Sequence, residues 1–164
     1  MRKAANSKAL RQNAAPGIKP CETAVSSTLK NYFGYCLYKS AVRLKFKIEN
    51  EFKQFGISTQ QCGIMTLLMA KGSLNQQEIS AETGIDRASM VRFIDGLESQ
   101  GYVARVSHAN DRRRNQIEIT GRGTKVLSKL REISKSVEEE FLKPLNSSEK
   151  SQLRNIVPKL LEAN

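Results

Sequence analysis

The chain is poor in the residues that most often carry chemistry. It has one His, no Trp and three Cys, with no C-x-x-C pair. A single imidazole excludes a His-based metal site and argues against most His-dependent catalysis. An odd, small set of thiols excludes a disulfide scaffold and a simple zinc domain. With 10 Gly and 4 Pro in 164 residues it is neither fibrous nor low-complexity. The longest apolar stretches, such as Ile64 to Ala70, fall far short of a membrane span of roughly 20 residues. The basic N-terminus lacks the apolar run of a secretory signal. Free thiols without an export signal point to a reducing cytoplasm. There is no Gly-rich phosphate loop and no set of acids at metal-ligand spacing, so the expectation is no cofactor, no metal and no enzyme.

Positive charge is what the chain has in excess. Against 16 Asp and Glu stand 27 Lys and Arg, a net +11 over a length that fits one domain. Such a surplus selects partners more than fold, and favours a polyanion, either nucleic acid or an anionic membrane surface. Within residues 1–20, Arg2, Lys3, Lys8, Arg11 and Lys19 meet no acid and supply five of those charges. The segment is rich in Ala, Asn, Ser and Gln and ends in Pro16, Gly17 and Pro20. It cannot bury enough surface to order itself. Residues 1–22 therefore read either as a flexible basic arm or as a solubilising tail or expression remnant. The rest of the surplus lies in 21–164, of which 23–164 reads as one domain, with Arg112, Arg113 and Arg114 in a row.

Periodicity divides that domain. Leu29, Phe33, Leu37, Ala41, Leu44, Ile48, Phe52 and Phe55 recur every three or four residues, one face of a long helix over about 26–55, ended by Gly56. A second helix runs from about Ser58 to Lys71. Asn75 and Glu78 form a capping-box pair for a short helix with Ile79 inward, closed by Gly84. Asp86 caps the next, whose apolar side is Met90, Phe93, Ile94 and Leu97. Two short helices around a Gly-containing turn outline a helix-turn-helix. The period then changes to two, over Tyr102–Ser107 and Gln116–Thr120, a hairpin with a basic tip at 108–115. A helical stripe resumes at Val126, Leu127, Leu130, Ile133, Val137 and Phe141. After Pro144, Asn146 and Glu149 cap a last helix carrying Leu153, Ile156, Val157, Leu160 and Leu161. Pro158 inside that stripe is expected to kink or shorten it. The fold class is thus mainly α with a small β-hairpin wing: a winged helix-turn-helix over about 57–120, flanked by terminal helices at about 26–55 and 121–162.

The helix after Asp86 leaves Arg87, Ala88, Ser89, Val91 and Arg92 on the side away from its apolar stripe. Arg pairs bidentately with guanine, Ser reaches a base edge or phosphate, and Ala or Val touches a thymine methyl. By spacing alone this is equally a solvated helix face; the adjacent basic hairpin tips the reading towards double-stranded DNA. Alternation along a hairpin sends one or two of Arg112, Arg113 and Arg114 towards a minor groove. Gln76 and Gln77, at a helix N-terminus, either bind phosphate or serve only in capping.

The segments Leu74–Ser80, Gly84–Arg92 and Ile94–Val103 resemble the MarR family of bacterial transcription regulators, as does the wing Asn110-Asp111-Arg112-Arg113-Arg114 with the Ile119-Thr120-Gly121-Arg122-Gly123 that follows it. The resemblance covers about Leu29 to Leu161. Two departures are His108-Ala109-Asn110, without a Pro before the wing acid, and Gly96, where a long or basic residue is usual. The family implies a cytoplasmic, nucleoid-associated regulator, a repressor that binds a palindromic operator as a homodimer. It implies an ion pair between Asp111 and Arg113 that holds the wing. It also implies that the terminal helices pair with a second chain through Tyr32, Phe33, Leu37, Ile156, Val157, Leu160 and Leu161. The alternative for these seven is an intrachain core.

Relatives release DNA on binding small aromatic or phenolic ligands. Here the corresponding lining is Tyr35, Tyr38, Arg43, Phe46, Met65 and Met69, a set that equally describes plain core. Peroxide-sensing relatives use a first-helix Cys bonded by tyrosines. Cys36 lies among Tyr32, Tyr35 and Tyr38, although counting back from Gly56 puts that position nearer Gly34. Cys62 is expected to pack, and Cys21 to be a mobile thiol. Outside the regulator class, the alternative is a non-enzymatic winged-helix module that docks on an acidic protein.

Overall fold

The structure is a computed structural model that describes residues 25–108 and 111–162, and the side chains of 107–115 fall outside that description. The chain divides into two compact units, residues 1–43 and 44–164. Residues 1–22, including Cys21, lie outside the described residues.

In the first unit the sequence-predicted single helix is broken. A one-turn α1 (Ser27–Lys30) stops at Asn31, and α2 (Phe33–Phe52) begins two residues later. Apolar spacing does not register the gap because Leu29 and Phe33 are four apart on either side of it. Residues 26–34 bury nothing, so packing does not override the weak helix former Asn31 at the break. α2 continues into the second unit and tightens into a 3-10 turn at Lys53–Phe55, closed by Gly56.

The second unit builds its core from several elements. α3 (Thr59–Lys71) starts at a Ser58–Gln61 capping box and buries Ile64, Met65 and Leu68. β1 (Leu74–Asn75) leads directly into α4 (Gln76–Thr83), where Ile79 is fully buried. Gly84 ends α4 at φ 67°, a left-handed turn natural to glycine. α5 (Arg87–Ser99) buries Met90, Ile94 and Leu97. β2 (Val103–His108) and β3 (Asp111–Ile119) form the wing hairpin, and β1 adds to the other edge of β3, giving the antiparallel order β1-β3-β2. Leu74 pairs with Ile117, and Val103 with Ile119. β1 is absent from the sequence reading, since two residues carry no periodicity. The strands also run further than the alternation indicated, so Arg112–Arg114 lie on strand β3 rather than in a loop.

α6 (Gly121–Phe141) places Leu127 and Leu130 in the same core. Each fully buried Leu, Ile or Met contributes roughly 1.5–3 kcal/mol relative to exposure. α7 (Ser147–Glu162) begins at Asn146, whose Oδ1 accepts from the Glu149 amide at 3.0 Å while Glu149 Oε2 accepts from the Asn146 amide at 2.8 Å. α7 is not shortened by Pro158 and continues to Glu162. The carbonyl four residues back, on Arg154, loses its helical donor, but residues 151–162 are all exposed, so water satisfies it.

Candidate nucleic-acid interface

The first turn of α4 is fully organised by its caps. Asn75 Oδ1 accepts from the amides of Gln77 at 2.9 Å and Glu78 at 3.0 Å, and Glu78 Oε2 accepts from the Asn75 amide at 2.7 Å. Capping thus belongs to Asn75 and Glu78, and not to Gln76 or Gln77. It also occupies two of the amides a phosphate would need. What remains for an anion is the side-chain amides of Gln77, exposed, and Gln76, half-buried.

α5 presents two contrasting sides. Met90, Ile94 and Leu97 are fully buried. Arg87, Ala88, Val91 and Arg92 are exposed and Ser89 is half-exposed. Asp86 Oδ1 accepts from the Ser89 amide at 2.9 Å, and the bonds from Ser89 hold the Asp86 carboxyl below its usual range. Arg92 Nη2 donates to Ser89 Oγ at 3.0 Å, which orients the guanidinium along the exposed side.

Three contacts hold this helix from behind. Gln61, the buried polar side chain of α3, donates from Nε2 to the Phe93 carbonyl at 3.3 Å while its Oε1 accepts from the Ser58 amide at 3.0 Å. A Cβ on Gly96 would lie 2.9 Å from that same Nε2. Gly96 therefore leaves room for the Gln61 side chain between α3 and α5. Gln100 Nε2 donates to the carbonyls of Gly96 at 3.1 Å and Gly56 at 3.3 Å. Arg105, on β2, bonds Asp95 and Glu98 of α5. Sequence reasoning missed Arg105. The available signal was a charged residue in phase with Val103 on a half-buried strand, facing two acids three residues apart.

The wing is joined to the body at its base. Thr120 Oγ1 donates to the Gly101 carbonyl at 2.7 Å and accepts from the Gly123 amide at 3.0 Å, so one hydroxyl joins the end of α5, β3 and the cap of α6. The Arg122 guanidinium sits 5.3 Å from the centre of the Tyr102 ring. The side chains of Asp111, Arg112, Arg113 and Arg114, and with them the expected Asp111–Arg113 pair, lie outside the described residues.

The remaining expected sites are dispersed. Tyr32, Phe33, Leu37, Ile156, Val157, Leu160 and Leu161 are all exposed in the single chain, from 38% for Val157 to 85% for Leu161. They are not intrachain core. Of the ligand set, Tyr35, Tyr38 and Arg43 belong to the first unit and Phe46, Met65 and Met69 to the second. Met65 is corrected to core: it is 0% exposed, packed with Ile64 and Leu68, whereas Met69 is 46% exposed. Spacing could not separate them because both lie on α3 one turn apart. An open cleft of about 490 Å³ lies between α2 and α6, lined by Lys47, Asn50, Glu51, Ile133, Ser136, Val137 and Glu140, and it contains none of the six. The Cys36 thiol lies 3.3 Å from the Lys30 carbonyl and 3.9 Å from that of Leu29, so its described bonds go to main chain. Burial pushes the Cys62 thiol up, which disfavours the thiolate. Among the described residues no group of three His, Cys, Asp or Glu stands ready for a metal, and no helix is long and apolar enough to cross a membrane.

Residues 55–114, from the end of the α2 segment to the wing, match the family model described as MarR family. That segment, the helix-turn-helix and the wing, is what the chain shares with the MarR family. It is 26% identical over 140 residues to the HTH-type transcriptional regulator SarZ of Staphylococcus saprophyticus, which covers 84% of this chain and 96% of SarZ. Its fold is similar to that of the transcriptional repressor CouR bound to a 23-mer DNA duplex, with TM-score 0.75 and 22% identity over 85% of this chain and 99% of CouR. It is also similar to Bordetella bronchiseptica BpsR, whose DNA binding is regulated by 6-hydroxynicotinic acid, with TM-score 0.72 and 16% identity over 87% and 100%. The likeness to these structures shows the fold, a winged helix-turn-helix.

Proposed function

We propose that the chain is a homodimeric repressor that reads a palindromic operator with the exposed side of α5. The observation that carries this is the division of α5: Met90, Ile94 and Leu97 are sealed in the core while Arg87, Ala88, Val91 and Arg92 face solvent, with Arg92 already oriented by Ser89. That pairing of small apolar and guanidinium groups suits base edges in a major groove. Gln76 and Gln77 flank it for phosphate, and one or two of Arg112, Arg113 and Arg114 reach the neighbouring minor groove from β3. Asp111 holds the wing by pairing with Arg113.

A lone helix-turn-helix reads few base pairs, and two-fold pairing places two reading helices one helical turn apart. The exposed apolar residues of α7, with Tyr32, Phe33 and Leu37 at the other end of the chain, support pairing with a second copy. Residues 23–164 act as one MarR-like domain, and the basic arm 1–22 adds affinity without sequence preference. The protein works in the cytoplasm, on the nucleoid. A small aromatic or phenolic ligand releases it; the regulation of BpsR by an aromatic acid supports that class of signal.

Selection of duplexes from a random-sequence pool, followed by footprinting of the selected site, tests the reading. A palindromic footprint is expected. Arg92→Ala should relax base preference, whereas Arg112→Ala should mainly lower affinity and salt slope. Equal loss on selected and random DNA for Arg92→Ala would sink the assignment of α5. Binding to any polyanion with no preferred site would favour docking on an acidic protein instead.

A further inference from the structure

Arg105 occupies a strand position that should be apolar. Residues directly opposite on paired strands share a face, and faces alternate along each strand. Val103 pairs with Ile119 and Arg105 with Ile117, so Arg105 shares the inward face of Val103, 2% exposed, and Ile117, 0% exposed. Its side chain is only 26% exposed. An arginine directed inward does not face a DNA groove; it faces α5.

Its partners there are specific. Nη2 donates to Asp95 Oδ1 at 2.5 Å, Nη1 donates to Glu98 Oε2, and the Arg105 amide donates to Glu98 Oε1 at 3.2 Å. Asp95 and Glu98 are three apart, on one face of α5. Two carboxylates on one rigid element and a planar fork on another define a direction as well as a contact. The two acids raise the Arg105 pKa further above its ordinary value, so the charge is constant at any physiological pH.

Stability alone does not account for this arrangement. Partly buried ion pairs are often matched or surpassed by apolar residues of similar volume, because desolvation offsets much of the Coulomb attraction. What an apolar residue would not supply is orientation. Arg105 stands between the helix proposed to read bases and the strand end at His108, beyond which the wing arginines follow.

We propose that Arg105, anchored by Asp95 and Glu98, is a positioning residue that fixes the wing against α5 so that both engage one duplex together. The proposal rests on the assignment of α5 and the wing as the DNA surface. It makes an unusual prediction of sign. Neutralising an acid near a DNA-binding face removes repulsion of phosphate and should by itself tighten binding. If Asp95 and Glu98 act through Arg105, neutralising them should weaken it.

The experiment measures affinity for the duplex selected from the random pool, and its dependence on salt, for wild type, Asp95→Asn/Glu98→Gln and Arg105→Met. Glu118→Gln is the control, a carboxylate on the outward face of β3. Thermal melting accompanies each. We expect the double variant to bind about 10-fold more weakly, with the salt slope reduced by about one to two as the wing's phosphate contacts are lost. Glu118→Gln should bind at least as tightly as wild type. Should Arg105→Met fail to fold, the two carboxylate changes carry the test alone. Unchanged or tighter binding by the double variant overturns the proposal. So does weaker binding with an unchanged slope, which would mark the cluster as structural only. A wild type that prefers no selected duplex defeats the DNA-surface assignment and this proposal together, and that failure is read on wild type before any variant.

Discussion

The carbonyl oxygen of Tyr102 occupies the space where a side chain on Gly123 would begin. A Cβ built on Gly123 collides with that oxygen and lies 2.8 Å from Ile119 Cγ1. The first turn of α6 is thus pressed against the β2–β3 base of the wing, and the Thr120 hydroxyl bonds across the same junction. A backbone atom cannot move aside as the end of a flexible side chain can.

Gly123→Ala should therefore destabilise the protein, although alanine in a helix normally gains about 1 kcal/mol over glycine. We expect a net loss of about 2 kcal/mol, within the usual cost of overpacking. Gly63, in the interior of α3, meets nothing within 4 Å. Gly63→Ala should follow propensity and stabilise by up to about 1 kcal/mol. Urea denaturation of both variants checks the pair, and a gain at both positions would remove the argument for close approach at Gly123.

Gln61 joins two elements through one side chain. Its Oε1 completes the cap of α3 and its Nε2 reaches the Phe93 carbonyl of α5. Gln61→Ala leaves the Ser58 amide without its partner and removes the cross-link, an expected cost of about 1–2 kcal/mol. Gln60, its half-exposed neighbour, should tolerate Ala within about 0.5 kcal/mol. Equal effects at the two positions in chemical denaturation would contradict the role assigned to Gln61.

These cases mark what was legible in the chain. Caps were, because Asn75 with Glu78, Asp86 with Ser89, and Asn146 with Glu149 act within four residues of one another. The inward side of α5 was as well, since Met90, Ile94 and Leu97 carry a helical period that burial then follows. Four features were not. β1 exists only because Leu74 and Asn75 meet Ile117 and Gln116, some forty residues later. Arg105 looked like one more basic residue until its pairing register put it inward. Met65 and Met69 have the same chemistry, and only tertiary packing separates them. The break at Asn31 comes from missing packing, which a periodic stripe does not reveal.

The α7 stripe supports a prediction about assembly. Leu153, Ile156, Val157, Leu160 and Leu161 are exposed, and no residue of α7 is buried in the single chain. Ile156→Glu/Leu160→Glu should leave the fold of each chain intact while preventing association. Sedimentation equilibrium at micromolar concentration should show monomers, with the far-ultraviolet dichroism of a helical protein retained. Affinity for the full palindrome should fall at least about 10-fold, because each half-site would bind alone. A variant that stays dimeric, or a wild type that is monomeric, would refute pairing through α7.

Acid sensitivity has a worked sign. Bonds from Ser89 lower the Asp86 pKa, those from Arg154 and then Lys150 lower that of Glu139, and that from Lys143 lowers that of Glu140. A carboxyl whose pKa is lower in the folded state contributes stability above its unfolded value and loses it as pH falls through the folded one. Stability should therefore hold from neutral pH down to about 5 and decline below about 4, where unfolded carboxyls begin to bind protons. Asp86→Asn separates capping from charge, since Asn caps a helix as well as Asp but does not titrate. Its denaturation midpoint at pH 7 should stay near that of wild type, while its decline between pH 5 and 3 should be shallower. Parallel decline in the two proteins would mean that the Asp86 bonds survive protonation, and that the acid response belongs to Glu139 and Glu140 at the junction of α6 and α7.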